Sequence, residues 1–201
     1  MEKIDTVLKF WFGRVEKTVI PSERRARIWF GESKEVDEEI KQEFSKDLES
    51  AIQYNYQEWE NNPRGQLALI ILLDQFSRHV YRDTPKAFAQ DEYALEICIH
   101  GIQNKADHHL SLIERVFYYF PLLHAENIAC QKQSVHAYQN LVDLAFPETH
   151  IIYDSFLQFA QHHFGIIERF GRFPQRNMVL GRDTIPSEEQ FLKQADEAQK
   201  S

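Results

Sequence analysis

The 201-residue chain carries a formal charge of −8, 43% apolar and 13% aromatic residues, and two cysteines. Its length suffices for a packed core without a disulfide or metal staple, and its acidic balance argues against a nucleic-acid backbone as partner, which needs a broad basic face. The longest apolar run, residues 67–73, falls far short of the roughly 20 residues of a membrane span, so no membrane role is expected.

The opening Met1-Glu2-Lys3-Ile4-Asp5 lacks the basic and apolar segments of a secretory leader, so a cytoplasmic protein is expected. Cys98 and Cys130 lie in apolar helical patterns without CxxC spacing and read as buried free thiols of a reducing compartment. Seven glycines and seven prolines fall at boundaries, and strand-like alternation is scarce, so helices with short connections are expected.

A first short helix is predicted over residues 4–12, with Val7, Leu8, Trp11 and Phe12 on one side and Gly13 as its stop. A loop follows around Pro21, then a helical piece over 23–29. Ser33 is placed to cap a long helix reaching about residue 52, with Val36, Ile40, Phe44 and Leu48 at helical spacing. Residues 31–60 hold ten acids and three bases, read as a solvated outer face. Pro63 opens the next helix, and residues 67–73 are apolar all round, the mark of a helix buried on every side. Thr84-Pro85 is expected to start a helix continuing to about 102. Ser111 and Glu114 match a capping box, and Pro121 must kink or break the helix they start. Further helices are predicted over 125–146, 151–170 (ended by Gly171) and 187–198. Nothing resembles an interdomain linker, so residues 1–201 read as one all-α domain of successive antiparallel pairs.

Four constellations place polar groups where burial is expected, and a buried charge costs several kcal/mol unless paired. Asp74, Arg78 and Arg82 are spaced four apart and share a face if their helix continues. They suit an intrahelical ion pair or an acid that aims an arginine at a ligand. Pro121 turns the chain near His124 and Glu126, a candidate base with its carboxylate, or a satisfied buried histidine. In His162-His163, His163 sits on the apolar stripe of Phe156, Phe159, Ile167 and Phe170. His124, Glu126 and His163 lack HExxH-like spacing, so no metal is expected. Residues 169–182 carry Arg169, Arg172, Arg176 and Arg182 with Asn177 in an irregular segment after Gly171. Arginines among aromatics mark either a buried ion-pair network or an anion site. GxGxxG, GxxxxGK[ST] and GxSxG are all missing from the sequence, so neither a nucleotide cradle nor a serine nucleophile is evident, and no cofactor is expected.

Three of these constellations resemble blocks of one family. The first is Leu73-Asp74-Gln75-Phe76-Ser77-Arg78 with Tyr81-Arg82 and Thr84-Pro85-Lys86-Ala87-Phe88-Ala89-Gln90-Asp91. The second is Glu114-Arg115 with Pro121, His124 and Glu126. The third is Ile166-Ile167-Glu168-Arg169-Phe170-Gly171-Arg172-Phe173-Pro174-Gln175-Arg176-Asn177 with Leu180-Gly181-Arg182. The chain resembles, over nearly its whole length, the bacterial domain of unknown function 924. That resemblance implies an all-α, tetratricopeptide-like right-handed superhelix and no known activity. Against the family pattern, His79 stands where Asn is expected and Gln175 where His is expected, while His163 matches the family's usual histidine.

The residues point to a polar cavity with Arg78, Arg82, Arg115, Arg172, Arg176 and Arg182 as a positive lining. Asp74, His124, Glu126 and His163 are its titratable members and Asn177 a neutral donor. The leading expectation is a site for a small anionic metabolite, with His124 and Glu126 as acid and base if chemistry occurs. The rivals are a scaffold that holds an acidic peptide in a groove and arginines that only cement the helices.

Overall fold

Helix starts in this chain follow local chemistry. In the computed structural model, which describes residues 2–13, 23–31 and 33–200, all regular structure is helical. The helices are α1 (Glu2–Phe12), α2 (Glu23–Phe30), α3 (Lys34–Ile52), α4 (Pro63–Ile70), α5 (Ser77–Val80), α6 (Asp91–Gln103), α7 (Leu112–Tyr118), α8 (Phe120–His124), α9 (Ile128–Leu144), α10 (His150–Phe170) and α11 (Pro186–Lys200). Ser33 caps α3 by accepting from the Val36 N–H at 3.4 Å, and Asn62 caps α4 by accepting from Gly65 N–H at 2.8 Å. Ser111 and Glu114 close the expected capping box on α7. Gly171, at φ 70°, ends α10 in the left-handed region. The predicted loop around Pro21 lies outside the described residues.

Three expectations are corrected. The helix expected over 84–102 is two pieces: a 3-10 turn, Pro85–Phe88, then α6. Thr84 makes no side-chain cap there and donates instead to the Tyr81 carbonyl at 2.7 Å. The helix expected from 125 begins at Ile128, because Asn127 supplies the cap through its side-chain oxygen. Between α4 and α5 the chain widens into a π-helical segment, Ile71–Phe76, which carries Asp74. Pro121 does break its helix, separating α7 from α8.

One apolar cluster draws residues from α1 through α10, and the α4 residues Leu67, Ala68 and Ile70 and the π-segment residues Ile71, Leu72 and Leu73 are fully buried within it. Phe117 sits at its aromatic centre, 4.7 Å from both Trp29 and Phe120 and 5.4 Å from Trp11 by ring centroids. Burying side chains of this size contributes about 1.5–3 kcal/mol each. A smaller cluster of Ile166, Ile167 and Phe173, packed by Phe170 and Phe191, seats the segment after α10 against α11. The expected stripe on α10 is partly realised: Phe156 and Ile167 are buried, while Phe159 is 40% exposed.

Candidate functional site

Asp74 is fully buried and never unpaired. Its Oδ1 accepts from His124 Nδ1 at 2.7 Å and meets Arg78 Nη1 at 3.1 Å, and the Gln75 amide bonds Oδ2. Burial opposes the Asp74 charge, but Arg78 and His124 outweigh it and hold the carboxyl well below its usual range. Arg78 also donates a two-pronged pair of bonds to Asp91, at 2.8 and 2.9 Å, from the first residue of α6. Burial and the Arg78 charge lower the His124 pKa, so the ring is neutral at pH 7.

The segment after α10 brings in the third arginine. Arg176 donates to Asp91 Oδ2 at 3.4 Å and to the His124 carbonyl at 3.0 Å. Its guanidinium lies between the rings of Phe88 and Phe173, 4.7 Å from each centroid. Burial, then Arg78, pushes its pKa down to about 10, which leaves it charged. Arg182 forks onto Glu126 at 2.9 and 2.8 Å, and Glu126 also accepts from the Phe173 N–H at 2.8 Å. These groups wall a cavity of about 600 Å³, with His124, Glu126, Asp91, Glu92, Arg176 and Arg182 among its polar lining. Each guanidinium is held by a carboxylate, which fixes its plane before any ligand arrives.

The structure therefore brings Asp74, Arg78, His124, Glu126, Arg176 and Arg182 together, and separates the rest. Arg82 follows the end of α5 and forks onto Asp37 of α3 at 2.5 and 2.7 Å, where His79 also bonds Asp37. Arg115 donates to the carbonyls of Leu110 and His108 and lines a different cavity, with Asp107 and Tyr119. Arg172 and Asn177 both bond Glu188 of α11, at 2.7 and 3.1 Å, and tie that helix down. His163 packs at 5.3 Å on Phe173, behind Arg176, with Nδ1 on the Phe159 carbonyl. The expected six-arginine lining is thus corrected to Arg176 and Arg182 at the cavity wall with Arg78 behind them. The expected His124–Glu126 pair is corrected too: His124 takes Asp74, and Glu126 takes Arg182, because the bend at residues 125–127 turns the two side chains to different partners.

Sequence reasoning missed Asp91, Phe88 and Glu188. Asp91 falls by spacing inside the helix expected over 84–102, and only the start of α6 at that residue puts it in a first turn, where the helix dipole favours an acid. No residue type at Ala89-Gln90 marks the break that places it there. Asp37 was read as part of a solvated acidic face, yet its side chain is 15% exposed. Among the described residues no group of three or more His, Cys, Asp or Glu is arranged to hold a metal ion. Nor is any described helix long and apolar enough to cross a membrane.

Residues 7–196 match the model of a family described as bacterial protein of unknown function (DUF924). The chain is also similar to a solved structure of a protein of unknown function from Agrobacterium tumefaciens, at 30% identity and TM-score 0.79, covering 96% of this chain and 98% of that one. No curated protein matches.

Proposed function

The chain belongs to the DUF924 family of bacterial proteins of unknown function, and we propose that it binds a small anionic metabolite in the cavity walled by His124, Glu126, Arg176 and Arg182. The observation that carries this reading is that Arg176 and Arg182, from one segment, line the same cavity as His124. Each already has its plane fixed by an acid and retains further N–H groups in its five-donor fork. A guanidinium held this way loses little rotamer freedom when an anion arrives. Asp74, Asp91 and Glu126 balance Arg78, Arg176 and Arg182 while His124 is neutral, and Glu92 on the lining adds one further negative charge. That balance favours a singly charged group, a carboxylate before a phosphate, and disfavours polyanions.

The volume suits a metabolite, since small-molecule pockets run from about 300 to 1,000 Å³. The exposed aromatics Phe30, Tyr54, Phe146 and Phe159 lie outside the cavity's lining, which tells against a groove for an acidic peptide. The cement reading fits Arg82 and Arg172, whose forks end on Asp37 and Glu188. We also infer that the helices stack as one tetratricopeptide-like right-handed superhelix, supported by the long pair α9–α10 joined by five residues. The binding reading is tested by thermal-shift titration of the wild type with small mono- and dicarboxylates and phosphate esters. A carboxylate at 100 times its Kd adds about 2.7 kcal/mol. A panel in which no compound raises the melting temperature overturns the reading.

A further inference from the structure

Charge is only half of what the cavity holds. Among the described residues two histidines bond an aspartate through Nδ1, and they differ in one respect. His79 bonds Asp37 through Nδ1 at 2.7 Å and also has a backbone hydrogen bond at Ile28, so its ring is satisfied on both sides. His124 bonds the buried Asp74 through Nδ1 at 2.7 Å, with the edge of Phe120 packed against its ring. No hydrogen-bond partner reaches its Nε2 among the described residues, nor is that atom among the sealed, unpartnered ones. The residue lines the cavity. Asp74 itself is carried on the π-helical segment, an irregularity that concentrates at functional sites.

A buried carboxylate on Nδ1 keeps the ring proton there and leaves the Nε2 lone pair free. We propose that Asp74 and His124 form a general-base dyad that takes the proton of a hydroxyl on the molecule bound in this cavity, a small hydroxy acid in chemical class. In that step the O–H bond breaks and its electron pair stays on oxygen. The new N–H bond forms at Nε2, and the imidazolium is neutralised by the Asp74 carboxylate, which stays ionised. The geometry sets the separation of the two groups on the ligand. Arg176 donates to the backbone carbonyl of the same His124, so the anion seat and the base adjoin, and carboxylate and hydroxyl belong within a few bonds of each other. The Arg176 guanidinium then lies beside the developing oxyanion. His124 is the catalytic residue and Asp74 a positioning residue. The choice of substrate rests on the binding reading above; the free Nε2 does not.

Other titratable or charged groups surround this ring from each neighbouring element: Arg78 on α5, Asp91 on α6, His163 on α10 and Arg176 on its segment, with Glu92, Glu126 and Arg182 also lining the cavity. Nitrogen-15 NMR of histidine-labelled protein at pH 7.5 reads the tautomer directly. The expected spectrum has neutral His124 with its proton on Nδ1, and in Asp74→Asn its titration midpoint falls because the anion favouring imidazolium is gone. A proton on Nε2, or an imidazolium at that pH, overturns the dyad without any variant. Lactate and propionate, which differ in one hydroxyl, test the substrate class by NMR titration. Lactate is expected to bind about tenfold more tightly, and the preference to vanish in His124→Gln while propionate binding persists. Equal binding to the wild type overturns the hydroxy-acid assignment. If neither acid binds, the anion reading and the substrate class fail together, and the tautomer still decides the dyad.

Discussion

Arg176 shows how one side chain serves structure and site together. Its charge is kept inside the protein by Asp91 and by two aromatic faces, and its remaining donors adjoin the cavity. Arg176→Lys keeps the charge and loses the plane that Phe88 and Phe173 sandwich. Urea unfolding should show a loss of about 1–2 kcal/mol, the worth of a desolvated cation–π contact. His163 makes a different prediction. Burial, then the neighbouring His124, pushes its pKa down to about 3 from 6.5. The unfolded chain therefore binds this proton more readily than the folded one between those values. Stability from His163 is fully present above pH 6.5 and is lost as pH falls toward 3. His163→Phe keeps the packing on Phe173 and should flatten the melting-temperature decline between pH 6.5 and 4.5; an unchanged slope contradicts the assignment. At this scale the sequence made the arginine cluster legible but not its partners. The ends of long, flexible side chains are set by tertiary contacts 13 to 85 residues away in the chain, as for Arg78 and Arg176 on Asp91.

Elements were more legible, because caps and breakers act locally. Ser33, Asn62, the Ser111–Glu114 box, Pro121 and Gly171 each work where the sequence places them. The π segment was hidden, since no residue type marks it and Asp74 and Arg78 keep the spacing of an ordinary helical pair. The true extent of the helix expected over 84–102 was hidden for a related reason: Thr-Pro starts both α-helices and 3-10 turns. One close approach depends on a glycine. A Cβ on Gly101 of α6 would lie 1.6 Å from the Tyr118 hydroxyl, which donates to Gln66. Gly101→Ala must displace that buried pair and should cost about 1–3 kcal/mol in denaturant unfolding, as overpacking does. A neutral substitution there contradicts the close approach of Gly101 to Tyr118.

For the whole molecule, stability should fall with acid over two pH ranges. Asp74, Asp37 and Glu126 all have carboxyls held below their usual range, with burial opposing and arginine or histidine partners prevailing. Glu188 is held at about 2, first by Arg172. Groups lowered on folding contribute stability above their ordinary values of 3.8–4.5 that disappears as pH falls through the folded ones. Circular dichroism melts should therefore decline gently below pH 6.5 from His163, His124 and His79, all lowered by burial, and steeply below about pH 4.5. The all-helical architecture was legible because helical periodicity is written in every segment. The way distant segments meet at one cavity was not, because no local pattern records which loop faces which. The most direct test of that convergence is calorimetric titration of the tightest small carboxylate into wild type and Arg182→Gln. The account predicts saturable one-to-one binding to the wild type and at least a tenfold loss in a variant that stays folded, since a hydrogen bond to a charged group is worth about 1.5–3 kcal/mol. Equal affinity in the two proteins would contradict it.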